Sequence, residues 1–249
     1  MKKNGAQTLL MGGQACVLYG AAEFSRDLDL MVLCESQNLS HVEAALQELQ
    51  AVRIAVPDLH TDHLTRGHAV HYRCQREDVQ KLRIDLMSVL RGVDSFRELW
   101  DRRTTLLFNG EEVELLSLPD LVQAKKTQRD KDWPMIRRLV EESYFRREPE
   151  PSPASVKFWL LELRTPELLL RVCSDFPAAA NALAPVRAAL QSALAGDLTG
   201  VTAALVSEES AIRELDRIYW APLKRELEQF RHSGTSHASP TADMIPRAE

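Results

Sequence analysis

The chain has 249 residues, 45% hydrophobic and 27% charged, enough to bury a sizeable core in one large domain or two small ones. Its 31 basic against 36 acidic residues leave a net charge of −5, which argues against a chain that coats nucleic acid non-specifically. No apolar run approaches the roughly 20 residues of a bilayer span, and Gly12, Gly13 and Gln14 interrupt any signal-type stretch behind Lys2 and Lys3. Cys16, Cys34, Cys74 and Cys173 form no Cys-x-x-Cys pair, so free thiols in a cytoplasmic protein are expected, without disulfide or zinc ribbon.

In chain order, Gly12 and Gly13 introduce a short apolar helix, and strands are predicted over 28–34, 68–74, 82–90, 104–108 and 113–116. Asn109 and Gly110 supply a hairpin turn between the last two. Ser40 is placed to cap a helix through Val42, Ala45, Leu46 and Leu49, and Asp94 one through Phe96, Leu99 and Trp100. From Ser117 onward only helical periodicity appears, first in Leu118, Leu121, Val122 and Ala124, then in Ile136, Leu139 and Val140. The Pro-rich run at 148–153 reads as a rigid connector. Helices are expected beyond it over 158–163, 168–172 and 212–230, with Pro222 inside or beside the last. Residues 232–249 have little to bury and read as a disordered tail. The expected organisation is an α+β core over 1–118, a helical continuation over 119–149, a C-terminal helical region over 150–231 and the tail.

The stretch with most chemistry in it begins at Met11. Paired glycines ahead of a helix let a ligand approach the backbone, and the helix N-terminus favours phosphate. Asp27 and Asp29 stand two apart on a predicted strand, so both carboxylates share a face, where they repel unless a cation or hydrogen bonds compensate. Mg²⁺ takes a few carboxylate oxygens and completes its shell with substrate phosphates. Asp85 is a third acid in an otherwise largely apolar strand, which an adjacent strand carrying Asp27 and Asp29 would explain. Three such acids beside a glycine turn are the parts of a metal-assisted phosphoryl- or nucleotidyl-transfer site.

These residues resemble the nucleotidyltransferase superfamily related to polymerase beta, and within it the small bacterial branch that includes abortive-infection, type IV toxin–antitoxin nucleotidyltransferases. Gly12, Gly13, Ala15, Tyr19, Gly20, Ser25, Asp27 and Asp29 match its first block, and Asp85 falls on its third acid. Leu118, Asp120, Leu121, Lys125, Arg129, Lys131 and Asp132 match its later Leu-x-Asp-Leu-x-x-x-Lys, Arg and Lys-Asp pattern, so the likeness spans about residues 6–145. The resemblance implies a mixed sheet flanked by helices and transfer of a nucleoside monophosphate from a nucleoside triphosphate to a hydroxyl of RNA, protein or a small molecule. Asp27, Asp29 and Asp85 would hold Mg²⁺ (or Mn²⁺), with Asp85 also lowering the pKa of the acceptor hydroxyl. Gly12, Gly13, Ser25, Lys125, Arg129 and Asp132 would meet the nucleotide. An antitoxin partner is also implied. One position departs from the pattern: Glu23 stands where many relatives carry Arg, and the reading it favours is a non-catalytic nucleotide- or partner-binding module.

Blander readings exist for several of these residues. The basic residues from Lys125 to Arg138 could be a solvated helix face, and Asp132 ahead of Trp133 and Pro134 could be a helix cap. His60, His63, His68 and His71 make two His-x-x-His pairs, but no further ligand completes a zinc set, so surface histidines are expected. Phe158, Trp159, Tyr219 and Trp220 read as core anchors of the C-terminal helices.

Overall fold

The computed structural model describes residues 1–146 and 148–233. Among them are seven strands and eleven α-helices in an α+β arrangement. Strand β1 (Thr8–Met11) leads straight into helix α1 (Gly12–Leu18), followed by β2 (Asp27–Val32), α2 (Ser36–Glu48), β3 (Val52–Arg53), α3 (Thr61–Thr65), β4 (Val70–Arg73) and β5 (Arg83–Met87). Then come α4 (Phe96–Asp101), β6 (Thr104–Phe108), β7 (Glu111–Leu115), α5 (Leu118–Ala124) and α6 (Asp132–Phe145). The rest is helical: α7 (Pro153–Glu162), α8 (Pro166–Asp175), α9 (Pro177–Leu183), α10 (Ala188–Leu194) and the 36-residue α11 (Leu198–Ser233). The strands form one sheet in the order β3-β4-β5-β2-β1-β7-β6. The β2–β5 and β1–β7 pairs are parallel and the others antiparallel.

The pleat explains the sheet's two characters. On β5, Ile84 and Leu86 are buried while Arg83, Asp85 and Met87 alternate onto the other, half-exposed face. One buried cluster runs from Leu9, Met31 and Ile84 in the sheet through Leu121 and Ile136 to Trp159, Leu190 and Val201 in the C-terminal helices. Trp159 sits edge-on to Tyr144 and donates its ring N–H to Ser143 Oγ, which joins α7 to α6 beyond the Pro-rich run.

Several local expectations need correction. Strand β1 was not expected, because the short apolar run Leu9, Leu10 and Met11 ahead of Gly12 offers no alternation to detect. Helix α2 begins at Ser36, and the Ser40 hydroxyl bonds the Ser36 carbonyl from inside the helix instead of capping it. Helix α4 is capped by Ser95 in a reciprocal box with Glu98, while Asp94 pairs with Arg102 Nη2 at 2.6 Å. The expected helix over 212–230 is the second half of α11, with Pro222 inside it. That helix carries His232 and Ser233, so the expected tail does not start at 232; residues 234–249 lie outside the described residues. His68 is buried, not a surface histidine, and Tyr219 and Trp220 are half-buried, whereas Trp159 is a core residue as its pattern suggests. No described helix is long and apolar enough to cross a membrane.

Candidate functional site

The site forms where β1 turns into α1 above the middle of the sheet. Gly12 has φ +66°, a left-handed conformation that side chains disfavour, and it lies against β2. A Cβ built on Gly12 would stand 1.8 Å from Asp29 Oδ2 and 2.4 Å from its Cγ. A Cβ on Gly13 would meet Ser25 Oγ at 2.3 Å. Gly12 is therefore favoured by the turn and by the closeness of Asp29, and Gly13 by the closeness of Ser25 alone. Gly13 N–H donates to Asp29 Oδ2 over a long 3.4 Å, and Gln14 Nε2 donates to the Ser25 carbonyl at 2.8 Å, which ties the 19–26 loop to α1.

The β2–β5 register brings the acids together. Asp29 pairs with Asp85 and Asp27 with Arg83, so all four side chains share one face, on strands about 4.8 Å apart. On the far side of β5, His71 of β4 is the register partner of Asp85. His71 Nδ1 lies 2.8 Å from Asp85 Oδ1, and Arg83 Nε donates to the same oxygen at 2.7 Å.

The two facing carboxylates are held in opposite electrostatic states. Burial, and after it the Asp85 charge, raise the Asp29 pKa above the usual carboxylate range, against the opposing pull of Gly13 N–H and Lys125. Burial also works to raise Asp85, but the hydrogen bonds from His71 and Arg83 outweigh it and hold Asp85 below that range. Asp29 is thus the acid whose charge the protein leaves under-compensated.

From the helical side, Lys125 follows α5 and is buried with its Nζ 3.5 Å from Asp132 Oδ1. Its charge acts on Asp29 and on the buried Cys16 thiol, whose pKa burial lifts to about 11, so Lys125 is buried within the field of Asp29 and is not on a solvated face. Asp132 does not cap α6; it is that helix's first residue, and its carboxylate accepts from Thr127 Oγ1 and from Arg129 Nε at 2.7 Å. Lys125, Arg129 and Asp132 are therefore linked to one another, and Lys125 is linked electrostatically to Asp29. Glu23 and its neighbour Phe24 are exposed on the loop before Ser25.

Sequence reasoning missed Arg83, His71 and Thr127. The two-residue spacing that pairs Asp27 with Asp29 also pairs Arg83 with Asp85, so Arg83 was readable. His71 was not, because its contact depends on the β4–β5 register.

Among the described residues no group of three or more His, Cys, Asp or Glu side chains is preassembled to hold a metal ion. The donor chemistry nonetheless suits a hard divalent cation. Asp27 and Asp29 present oxygens on one face, Asp29 is under-compensated, and Mg²⁺ takes only one or two carboxylates when substrate phosphates fill the remaining positions.

No protein-family model and no curated protein matches the chain. Among solved structures, the crystal structure of an antigenic nucleotidyltransferase-like protein from Paracoccidioides brasiliensis aligns with 70% of this chain and 83% of its own, at 17% identity and a TM-score of 0.35. A likeness at that level carries no inference about activity.

Proposed function

We propose that the chain is a divalent-metal-dependent nucleotidyltransferase of the polymerase beta type, moving a nucleoside monophosphate from a nucleoside triphosphate to a hydroxyl acceptor. The observation that supports it is the registration of Asp29 against Asp85, with Asp27 one pleat away, under a glycine turn too tight to admit a Cβ.

In this reading Asp27 and Asp29, with Asp85 beside them, hold Mg²⁺ or Mn²⁺. When bound, the ion supplies Lewis-acid polarisation of the donor phosphates and the acceptor hydroxyl. The Gly13 N–H, whose bond to Asp29 is long, would be available to a phosphate oxygen at the helix start, and the Ser25 hydroxyl, 3.3 Å from the Asp27 carbonyl, can turn toward one. Lys125 offsets phosphate charge from below, while Arg129, more than half exposed, meets the nucleotide from the side. The acceptor oxygen attacks the α-phosphorus in line, the bond to the bridging oxygen breaks and pyrophosphate leaves. Asp85, beside the ion, would lower the pKa of the acceptor hydroxyl, whose proton then passes to solvent.

A second reading, nucleotide binding without transfer, is favoured by Glu23 and by the capture of Asp85 by Arg83 and His71. The toxin–antitoxin role and an RNA acceptor rest on the motif resemblance alone. Incubating the protein and Mg²⁺ with α-labelled nucleoside triphosphates and total RNA, protein or small-molecule acceptors tests the proposal. Label should move to one acceptor class, and the Asp27→Asn/Asp29→Asn double variant should be inactive. Equal, metal-independent triphosphate binding by wild type and that variant would remove the proposal.

A further inference from the structure

One cation already sits against the acid trio, bonded to Asp85, and it belongs to the chain. Arg83 precedes Asp85 by two residues on β5, which puts it on the acid face, and the register sets it directly beside Asp27. Its Nε donates to Asp85 Oδ1 at 2.7 Å. Its Nη2 lies 3.2 Å from His71 Nδ1, which reaches the same oxygen at 2.8 Å. Asp85 above all, then Asp27 and Asp29, act on the guanidinium charge, so the whole trio lies within its field.

We propose that Arg83 is a built-in counter-cation of the acid trio, holding Asp85 through one oxygen and competing with a divalent ion for the same field. The inference rests on the reading of the trio as a divalent-cation site. It goes beyond that reading by making the ligands unequal: the ion draws first on Asp27 and Asp29, and on Asp85 only through Oδ2. Counting the charges that face one another, three carboxylates against Arg83 and Lys125 leave one net negative charge, and without Arg83 two remain. A divalent ion gains from each uncancelled charge, so removing Arg83 should strengthen its binding even though Asp85 loses a hydrogen bond. If Arg83 instead only positions Asp85 as an indispensable ligand, removing it weakens the ion.

The two outcomes separate in a titration of Mn²⁺ into the full chain, with free ion counted by electron paramagnetic resonance and no substrate present. Arg83→Gln should bind Mn²⁺ about tenfold more tightly than wild type, and Arg83→Lys, which keeps the charge without the guanidinium fork, within about threefold of wild type. The Arg83→Gln/Asp85→Asn variant removes the pair together and restores the wild-type charge count. It should also bind within about threefold, and it serves if Arg83→Gln alone does not fold. Unchanged or weaker binding by Arg83→Gln, or lost binding by the paired variant, would overturn the counter-cation and leave the metal site standing. Absence of Mn²⁺ binding in wild type and all three variants would overturn the metal site itself, and the inference with it.

Discussion

Asp29 and Asp85 face each other across two strands and respond to acid in opposite senses. The Asp29 pKa is raised on folding, so the folded state favours its protonated form. That preference is fully present below the unfolded carboxylate pKa and is lost as pH rises through the higher folded value, leaving ionised Asp29 as a cost at neutral pH. Asp85 is lowered, so its contribution is present above the unfolded pKa and disappears only as pH falls through the folded one. Asp29→Asn should therefore raise Tm at pH 7 by about 2–4 °C, and the gain should shrink as pH falls toward the unfolded carboxylate range. A thermal melt series across pH checks both the sign and the trend. Gly12→Ala should act the other way, because the new methyl must displace the Asp29 carboxylate at a left-handed backbone position. A loss of about 2–3 kcal/mol in denaturant unfolding, together with lost metal binding, is expected. At this scale the acids and glycines were legible, since spacing and residue type carry their meaning. Arg129 and Asp132 were legible as residues, but their attachment to one another was not, because a Lys/Arg/Asp pattern does not say which charge faces which.

At the scale of elements, the least conspicuous anchor is Asp216 on α11, only 2% exposed. Its Oδ1 accepts from Arg91 Nε at 2.9 Å and its Oδ2 from the Gln128 backbone N–H at 2.8 Å, so one carboxylate fixes both the segment after β5 and the loop between α5 and α6. Asp216→Ala takes a partner from the half-buried Gln128 N–H and leaves Arg91 only its bond to the Lys126 carbonyl, and should cost about 2–3 kcal/mol in urea unfolding. Asn38 plays a similar part on α2, where its amide donates to the Gln7 and Leu33 carbonyls and its oxygen accepts from Gln7 N–H. Neither residue stood out in the sequence, because each works through backbone groups far away in the chain. The capping box of α4 was different: Ser95 and Glu98 carry its spacing openly, one residue after the equally cap-competent Asp94.

For the molecule as a whole, the α+β order, a sheet ahead of an all-helical half, could be read from where alternation gives way to 3.6-residue periodicity near residue 118. The extent of α11 could not, because Pro222 and a polar, Glu-rich stretch at 207–217 mask one continuous helix. A divalent ion that binds only the folded state stabilises it by mass action, so Mg²⁺ at about 100 times its Kd should add about 2.7 kcal/mol to unfolding. Calorimetry with and without Mg²⁺ checks this, and the Asp27→Asn/Asp29→Asn variant should show no Mg²⁺ increment.

Helix α11 meets the site's surroundings at two places. Asp216 holds the loop leading from Lys125 to Asp132. Two to three turns later Glu226 sits 2.7 Å from buried His68, just ahead of β4 and His71, with Phe230 packed on the same ring. Any fluctuation that lifts the second half of α11 frees both flanks at once. Native-state hydrogen exchange should therefore report one shared opening energy for amides near Gln128, near His68 and along residues 216–230, as a single cooperative unit. A protease that cuts within that half of the helix would loosen the nucleotide's surroundings without touching a residue of the acid trio.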